Sequence, residues 1–511
     1  MNLSDHNNRH SFVANEGWDG SIHFTVGIMR NKQLKCRALS LCAAFWILVA
    51  CIAGYGLLYF QNDRELRNAL NQAGSNRTEL EKVLIHYRND HDKLKAAKYL
   101  ISALPAHYSY RGERIDSYYS LAKELLTSDL TPETQRDSLL AASQTEYSEL
   151  TDNIVSDVEI ISADYIISNI ESAWKQWKEC PWASHLRFDD FLEWLLPYKM
   201  TELQSLDFWR DSLRMKFTDG IAHITRDDVE YGTAMKTAET VRNELNGKIR
   251  RYGLYSRAGL PLLSAELLPI QTFGDIPDYA LTTALTMRAA GIPVVLDETP
   301  VGARYEAAVR WFVILSDKGS EETSEWDMAT LIGWSFFPYE RGPKVWRNTY
   351  RISHRVQEYR RNAKFIFPFD LTKEDVTDRY FLTENLKLAV STDICKSLKD
   401  KYVYIASAIR DTSYAQQSGY CTGYYAPEQP EGAPSIQSGW RIIDFGELRH
   451  GRACFQKMGR EVMYMAYGYD GQRLIPITGP FILHKDRHIE YVSADTVQSP
   501  TLDRWRNNPL I

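Results

Sequence analysis

The sequence predicts an α+β fold, in which a helical N-terminal region, an α+β core and a C-terminal β-sandwich follow an N-terminal membrane segment. Three observations carry that expectation. Apolar residues recur at helical spacing from Gln61 to about Ala173. A helical stretch at 274–291 runs into the strand-like VVLDETP and AAVRWFVIL, the order of an α+β unit. Beyond residue 354, short alternating runs between turns read as the strands of a sandwich.

At 511 residues the chain exceeds one ordinary core and suggests about two to four domains. The expected boundaries are 1–37 for a cytoplasmic or pre-signal segment, 38–60 for a transmembrane anchor or lipoprotein signal, 61–173 for the helical region, 174–353 for the core and 354–511 for the sandwich. Arg30, Lys32, Lys35 and Arg37 precede an uncharged run at 38–60, long enough to cross a hydrocarbon core of about 30 Å. A positive flank stays inside, so the folded region is expected outside the cytoplasm. Two anchors remain open. The run spans the membrane, or Leu48-Val49-Ala50-Cys51 is a lipobox and Cys51 carries the lipid. Translation starts at Met1, or at Met29 with a charged n-region.

In the helical region, Asn76 and Glu79 read as a capping box, and Leu80, Val83, Leu84 and Tyr87 as one buried stripe. A second amphipathic run covers about 132–178. Trp174, Trp177, Phe188, Phe191 and Trp194 are spaced to cover one side of helices packed on the next domain, and Pro197 breaks the periodicity. In the third region the expected strands are KFIFPF, ENLKLAV, KYVYIASAI, GWRIIDFGEL, GRACFQKM, EVMYMAYGYDGQRLIPI and GPFILH, with a hairpin at Asp470-Gly471 and a long loop at 416–439.

A net charge of −6 gives no support for nucleic-acid binding. Among the seven cysteines, Cys180, Cys395, Cys421 and Cys454 show no zinc-site spacing, and pairing among the last three is left open. His86, His91 and His107 lack partners at metal-ligand spacing and read as surface or core histidines. No metal and no cofactor are expected.

The pattern that should carry chemistry is GDIPDYALTTALTMRAAGIPVV, residues 274–295. The order Gly-Asp, Asp278, helix, RAAGIP, strand and a second strand with Trp311 resembles the transglutaminase-like, papain-related core. In that family a cysteine follows Gly-Asp at the helix N-terminus, a His-x-Trp strand supplies the base, and an acidic residue orients the histidine. Cysteine must be deprotonated to attack an acyl carbon, and the histidine must be held in the right tautomer. The resemblance puts Ile276 at the cysteine position, Val309 at the histidine position and Asp327 at the third. Ile276 and Val309 have no lone pair; no cysteine lies between 181 and 394, and no histidine between 224 and 353. Catalytic residues of that kind are therefore absent. NRTELEKVLIHY, KLKAAKYLISALPAHYSY, FDDFLEWLLPYK, KVWRNTYRI and DVTDRYF are similar to segments of exported transglutaminase-like proteins of Bacteroidetes bacteria, many of them predicted lipoproteins. This implies a cell-envelope location.

The expected function is a membrane-tethered binding or scaffold protein with an inactive transglutaminase-like domain, partnered by the bacterial membrane and an envelope protein, peptide or glycan. Candidate binding residues are Asp275, Asp278, Glu306 and Trp311 in the old cleft, with Tyr424, Tyr425 and Trp440 in or beside the long loop. The competing expectation is a carboxylate-dependent hydrolase of envelope glycan or peptide that uses Asp275, Asp278, Asp297, Glu298 or Glu306.

Overall fold

Amphipathic helices build the first layer. The computed structural model describes residues 64–145, 154–217, 233–248, 260–274, 276–301, 309–316, 321–322, 341–367, 369–408 and 439–492. The chain divides into Met1–Glu65 and Leu66–Ile511, and the helices from Arg77 onward and the three described sheets lie in the second unit. Among the described residues no helix is long and apolar enough to cross a membrane; 38–60 and Cys51 lie outside them.

Helices Arg77–His86 and His91–Ala103 pack on Ala163–Glu179, with Leu80, Val83 and Tyr87 buried as the stripe predicts. The capping box is not made. Asn76 accepts no cap hydrogen bond; its amide donates to Val158 O at 3.1 Å and Ile161 O at 2.9 Å. Glu79 instead accepts from Ala163 N at 2.9 Å, so both side chains serve the start of a helix more than 80 residues away in sequence. The expected run at 132–178 is also divided. Helix Pro132–Thr145 is followed by strand Ile154–Ser156 (β2), which pairs with Tyr108–Tyr110 (β1). Ser162 then starts Ala163–Glu179 by accepting from Tyr165 N at 3.2 Å. That helix runs across the boundary expected at 173/174. Its Trp177 stacks on Phe191 at 4.5 Å and meets Trp174 edge-on at 5.1 Å.

An antiparallel sheet follows, made of β3 Val294–Thr299, β4 Val309–Leu315, β5 Glu321–Glu322, β6 Trp346–Asn348 and β7 Lys373–Asp375. Its five strands lie in the order β5-β4-β3-β6-β7. The central β3 is buried along its whole length. Alternation sends Val295, Trp311 and Val313 into the core shared with the Trp-rich helices. Val294, Leu296, Phe312 and Ile314 face the other way, onto helix Ile276–Ala289.

The C-terminal strands are β8 Thr383–Ala389, β9 Tyr402–Ala408, β10 Trp440–Arg449, β11 Arg452–Gly459, β12 Val462–Tyr469, β13 Leu474–Pro476, β14 Phe481–Leu483 and β15 Ile489–Tyr491. They form one hydrogen-bonded path, β15-β14-β12-β9-β10-β11-β8, with β13 beside β12. The path is one eight-stranded curled sheet. β11 joins β10 only through Leu448↔Ala453 and Arg449↔Arg452, and the β8–β11 ribbon shares a core with Val403, Ile405 and Tyr464. KFIFPF is not a strand. Its backbone amides find side chains instead: Lys364 N and Phe365 N donate to Asp400 at 2.8 and 3.0 Å, and Phe367 N to Tyr359 Oη at 2.7 Å. The phenyl rings thereby pack on the outer face of β9 with helix His354–Asn362. Cys395 and Cys454 carry free thiols, and Cys421 lies outside the described residues.

Two buried cations tie these layers together. Lys344, fully buried, bonds Asp375 of β7 and Gln456 O of β11 and lies 3.2 Å from Asp444 of β10. Arg210, 4 % exposed, is held by neutral acceptors. It donates to Asn169 Oδ1 and Gln176 Oε1 at 3.1 Å, to Leu195 O at 3.0 Å, and to Leu196 O, Pro197 O and Arg288 O at 3.3 Å. Burial pushes its pKa down only to about 10, so it stays charged at neutral pH. Arg210→Met should lower stability by more than about 4 kcal/mol, because each buried carbonyl left without a donor costs about 1–3 kcal/mol. A urea-unfolding midpoint equivalent to a loss below about 1 kcal/mol would contradict this role.

Candidate functional site

Gly274 precedes helix Ile276–Ala289 with φ 139°, a backbone region open to glycine. Asp278 lies buried in its first turn, and every described position from 278 to 295 is buried. The helix ends in a Schellman motif: Ile292 N bonds Met287 O at 2.9 Å and Gly291 N bonds Arg288 O at 3.0 Å, with Gly291 at φ 85°. A Cβ on Gly291 would lie 3.0 Å from Cys180 Sγ. RAAGIP is therefore a helix stop in a crowded place, followed by the proline that such stops favour.

Trp311 lies on the opposite face of the sheet from this helix. Its Nε1 donates to Tyr380 Oη at 3.1 Å, and Tyr380 Oη donates to Asp297 at 2.6 Å. Asp297 also takes both prongs of Arg347, at 2.7 and 2.8 Å, from the directly opposed position on β6. Strand side chains alternate with period two. A base two residues before a tryptophan at 311 would share that tryptophan's face, away from the helix that should carry the nucleophile.

Ile276 opens the helix and Val309 opens β4, but their side chains lie outside the described residues, as do Asp275, Glu306, Asp327, Tyr424 and Tyr425. Trp440 begins β10, half-buried against the aromatic core. Of the expected acids, Asp297 is locked by Arg347 and Tyr380, whereas Glu298 belongs to a different site.

Glu298 faces the opposite way along β3. Its Oε2 accepts Arg310 Nη2 at 2.9 Å from the opposed position on β4, and its Oε1 accepts Lys373 of β7. Arg310 reaches on to Thr201 Oγ1 at 3.0 Å, and Lys373 lies 3.7 Å from Asp370. Asp370 accepts from Thr372 N and Oγ1, both at 2.8 Å, in a local turn. Thr201, Asp370 and Thr372 line a cavity of about 250 Å³ together with His107, Lys199, Glu202, Asn348 and Arg360.

Two carboxyls meet at its mouth. Glu202 reaches solvent, yet the adjacent Asp370 carboxylate, with partial burial adding to it, pushes its pKa up to about 8. Burial would raise Asp370 too, but Lys373 and the Thr372 hydrogen bonds hold it below its ordinary value. Burial opposes the Lys373 charge, and Glu298, Asp370 and Glu202 outweigh it, so its pKa is raised. At neutral pH the pair is one acid and one carboxylate sharing a proton. Leu203, beside Glu202, sits at φ 55°, a strained conformation for a branched residue.

The cavity floor is a second network. Lys199 lies 2.6 Å from Asp157, which also accepts Ser109 Oγ at 2.6 Å and Tyr198 Oη at 2.8 Å. Burial lowers the Lys199 pKa despite this partner. His107 stacks on Tyr350 with ring centroids 4.3 Å apart, and its Nε2 meets Tyr350 O at 3.0 Å. Burial first, and Lys199 second, push it down to about 4.

Sequence reasoning missed Glu202, Asp370, Lys373, Lys199 and Asp157 because they come from separate stretches with no common spacing. The available signals were a lysine inside the apolar LLPYKM and a turn-forming Asp-x-Thr at 370–372. No family model, curated protein or solved structure matches this chain.

Two titrations test the site. In NMR or infrared spectra the Glu202 carboxyl should titrate near 8, and Asp370→Asn should return it toward the ordinary range; an unchanged titration would remove Asp370 as the cause. His107 binds its proton less readily folded than unfolded. Its contribution is therefore complete above about pH 6.5 and is lost as pH falls toward about 4. Over that window the parent should lose on the order of 3 kcal/mol more than His107→Gln. Parallel pH curves of urea midpoints would refute it.

Proposed function

We propose that the chain is a membrane-tethered cell-envelope protein in which a transglutaminase-like frame without thiol chemistry serves as a binding or scaffold module. Its ligand site is the cavity bounded by Glu202, Asp370 and Lys199. The observation that carries this reading is the separation of the motif: helix Ile276–Ala289 and Trp311 occupy opposite faces of the sheet, and the described part of the helix is packed on all sides. A nucleophile and base so divided cannot meet. The cavity supports a binding role because its lining carries fixed donors and acceptors for a small polar group of an envelope peptide or glycan. The N-terminal run at 38–60, or a lipid on Cys51, supplies the tether, which leaves the folded region outside the cytoplasm.

A second reading rests on one observation, the Glu202–Asp370 pair. A carboxyl with its pKa pushed up to about 8 beside a carboxylate is the arrangement of an acid and base working near neutral pH. It moves the carboxylate-dependent hydrolase from the acids expected in the sequence to two that periodicity did not reveal.

The full chain in mild detergent should show no acyl transfer, amidase or peptidase turnover. Ile276→Cys with Val309→His should leave the new thiol near about 8.5, the unperturbed value. A thiol titrating two or more units lower, or recovered acyl transfer, would overturn the non-catalytic reading. Turnover of an envelope glycan or peptide that Glu202→Gln and Asp370→Asn each abolish would replace it with the hydrolase.

A further inference from the structure

The hairpin between β14 and β15 carries a cluster that the cavity does not involve. In HKDRHIE, His484, His488 and Glu490 fall at 1, 5 and 7, spanning the turn. The short strands pair Leu483 with Ile489, so the turn brings both ends of the motif together. Each residue offers one ligand atom, and the three atoms lie within 4.8 Å of one another. His484 Nε2 is 2.7 Å from Glu490 Oε2. The two imidazoles lie nearly parallel, 17° apart in plane and 4.3 Å between centroids.

The carboxylates around them sort into two roles. His488 Nδ1 is 2.5 Å from Asp486 Oδ1, and His484 Nδ1 is 3.5 Å from Glu461 Oε1. An acidic partner on Nδ1 favours a proton there and leaves Nε2 of His488 with its lone pair, the arrangement by which carboxylates orient metal-binding histidines. His484 Nε2 instead donates to Glu490 in this structure, and ligation at Nε2 requires its Nδ1–H tautomer, with that proton toward Glu461. Glu461 is itself positioned by Lys485 N at 2.6 Å. Two nearby arginines are engaged elsewhere: Arg487 Nε meets Glu384 at 3.0 Å and Arg460 meets the same carboxylate at 3.1 Å. Three carboxylates, Glu461, Asp486 and Glu490, thus surround two imidazoles, a field that favours a divalent cation.

We propose that His484, His488 and Glu490 form a binding site for a first-row divalent transition metal of the zinc class, with Glu461 and Asp486 as positioning residues. Two nitrogens and one carboxylate oxygen suit zinc in preference to magnesium or calcium, which favour oxygen ligands alone. Exposure of His488 and Glu490 leaves the fourth position to solvent. Ligation also replaces the contact between Glu490 and His484 with one ion shared by both, tying β15 to β14.

The test uses the full chain in mild detergent, stripped with a chelator and titrated with Co²⁺ alone, then with Zn²⁺ in competition. The expected result is a saturable tetrahedral Co²⁺ absorption band displaced by Zn²⁺. His488→Ala should weaken binding by at least about 100-fold, and Asp486→Asn by about 10–100-fold. The sequence holds 12 histidines, so the substitutions decide the site. Retained affinity in both His488→Ala and Glu490→Gln, or no saturable binding, overturns the proposal. Hydrogen exchange on the unsubstituted chain gives a reading independent of variant folding: Zn²⁺ should protect amides across 484–490, and protection confined to other segments overturns it.

Discussion

A buried guanidinium without an ion-pair partner among the described residues sets the geometry of the central layer. Arg210 stays charged in the core because its acceptors lie at two helix ends. Leu195, Leu196 and Pro197 follow the helix Phe188–Trp194, and Arg288 stands in the last turn of Ile276–Ala289. Carbonyls there lack intrahelical partners and carry the negative end of the helix dipole. One planar group with five donors meets both ends at once, which a lysine could not do. Arg288 repeats the device, bonding Pro197 O at 3.2 Å, Lys199 O at 3.4 Å and Val294 O. The loop from Pro197 to Lys199 is thereby fixed, and that loop delivers Lys199 and Glu202 to the cavity.

Two adjacent acids on β3 then divide the molecule's polar chemistry. Asp297 and Glu298 point to opposite faces, and both are opposed by arginines on flanking strands. Asp297 is closed off by Arg347 and Tyr380, so it holds strands together. Glu298 shares its charge with Arg310 and Lys373, and through Lys373 touches the carboxyl pair at the cavity mouth. The same element therefore makes one interaction that fixes the sheet and another that tunes a titrating site.

Three residues of the signature that invites comparison with a nucleophile site have structural explanations. Gly274 provides a backbone angle, Gly291 ends the helix at φ 85° where a Cβ would crowd Cys180, and Arg288 bonds carbonyls in the core. Asn76 and Glu79 show the same precedence of tertiary partners over local pattern. Their spacing fits a capping box, but the orphan amide of Ala163 and the carbonyls of Val158 and Ile161 compete for the same side chains and take them.

Periodicity alone determined most elements: the stripe of Leu80, Val83 and Tyr87, the buried run of β3, and the alternation of β9 that places Tyr402 and Tyr404 on one face and Val403 and Ile405 on the other. These are legible because a helix or strand repeats its environment every 3.6 or 2 residues. KFIFPF read as a strand because alternation cannot reveal that Asp400 and Tyr359 satisfy its amides. The hairpin motif HKDRHIE was readable as spacing, yet its convergence depends on the turn and on Glu461 from the turn between β11 and β12. The carboxyl pair left no periodic trace at all. Glu202 and Asp370 are 168 positions apart, and the charge that pushes one up and the lysine that holds the other down act over a few ångströms. Only the tertiary structure could bring them that close.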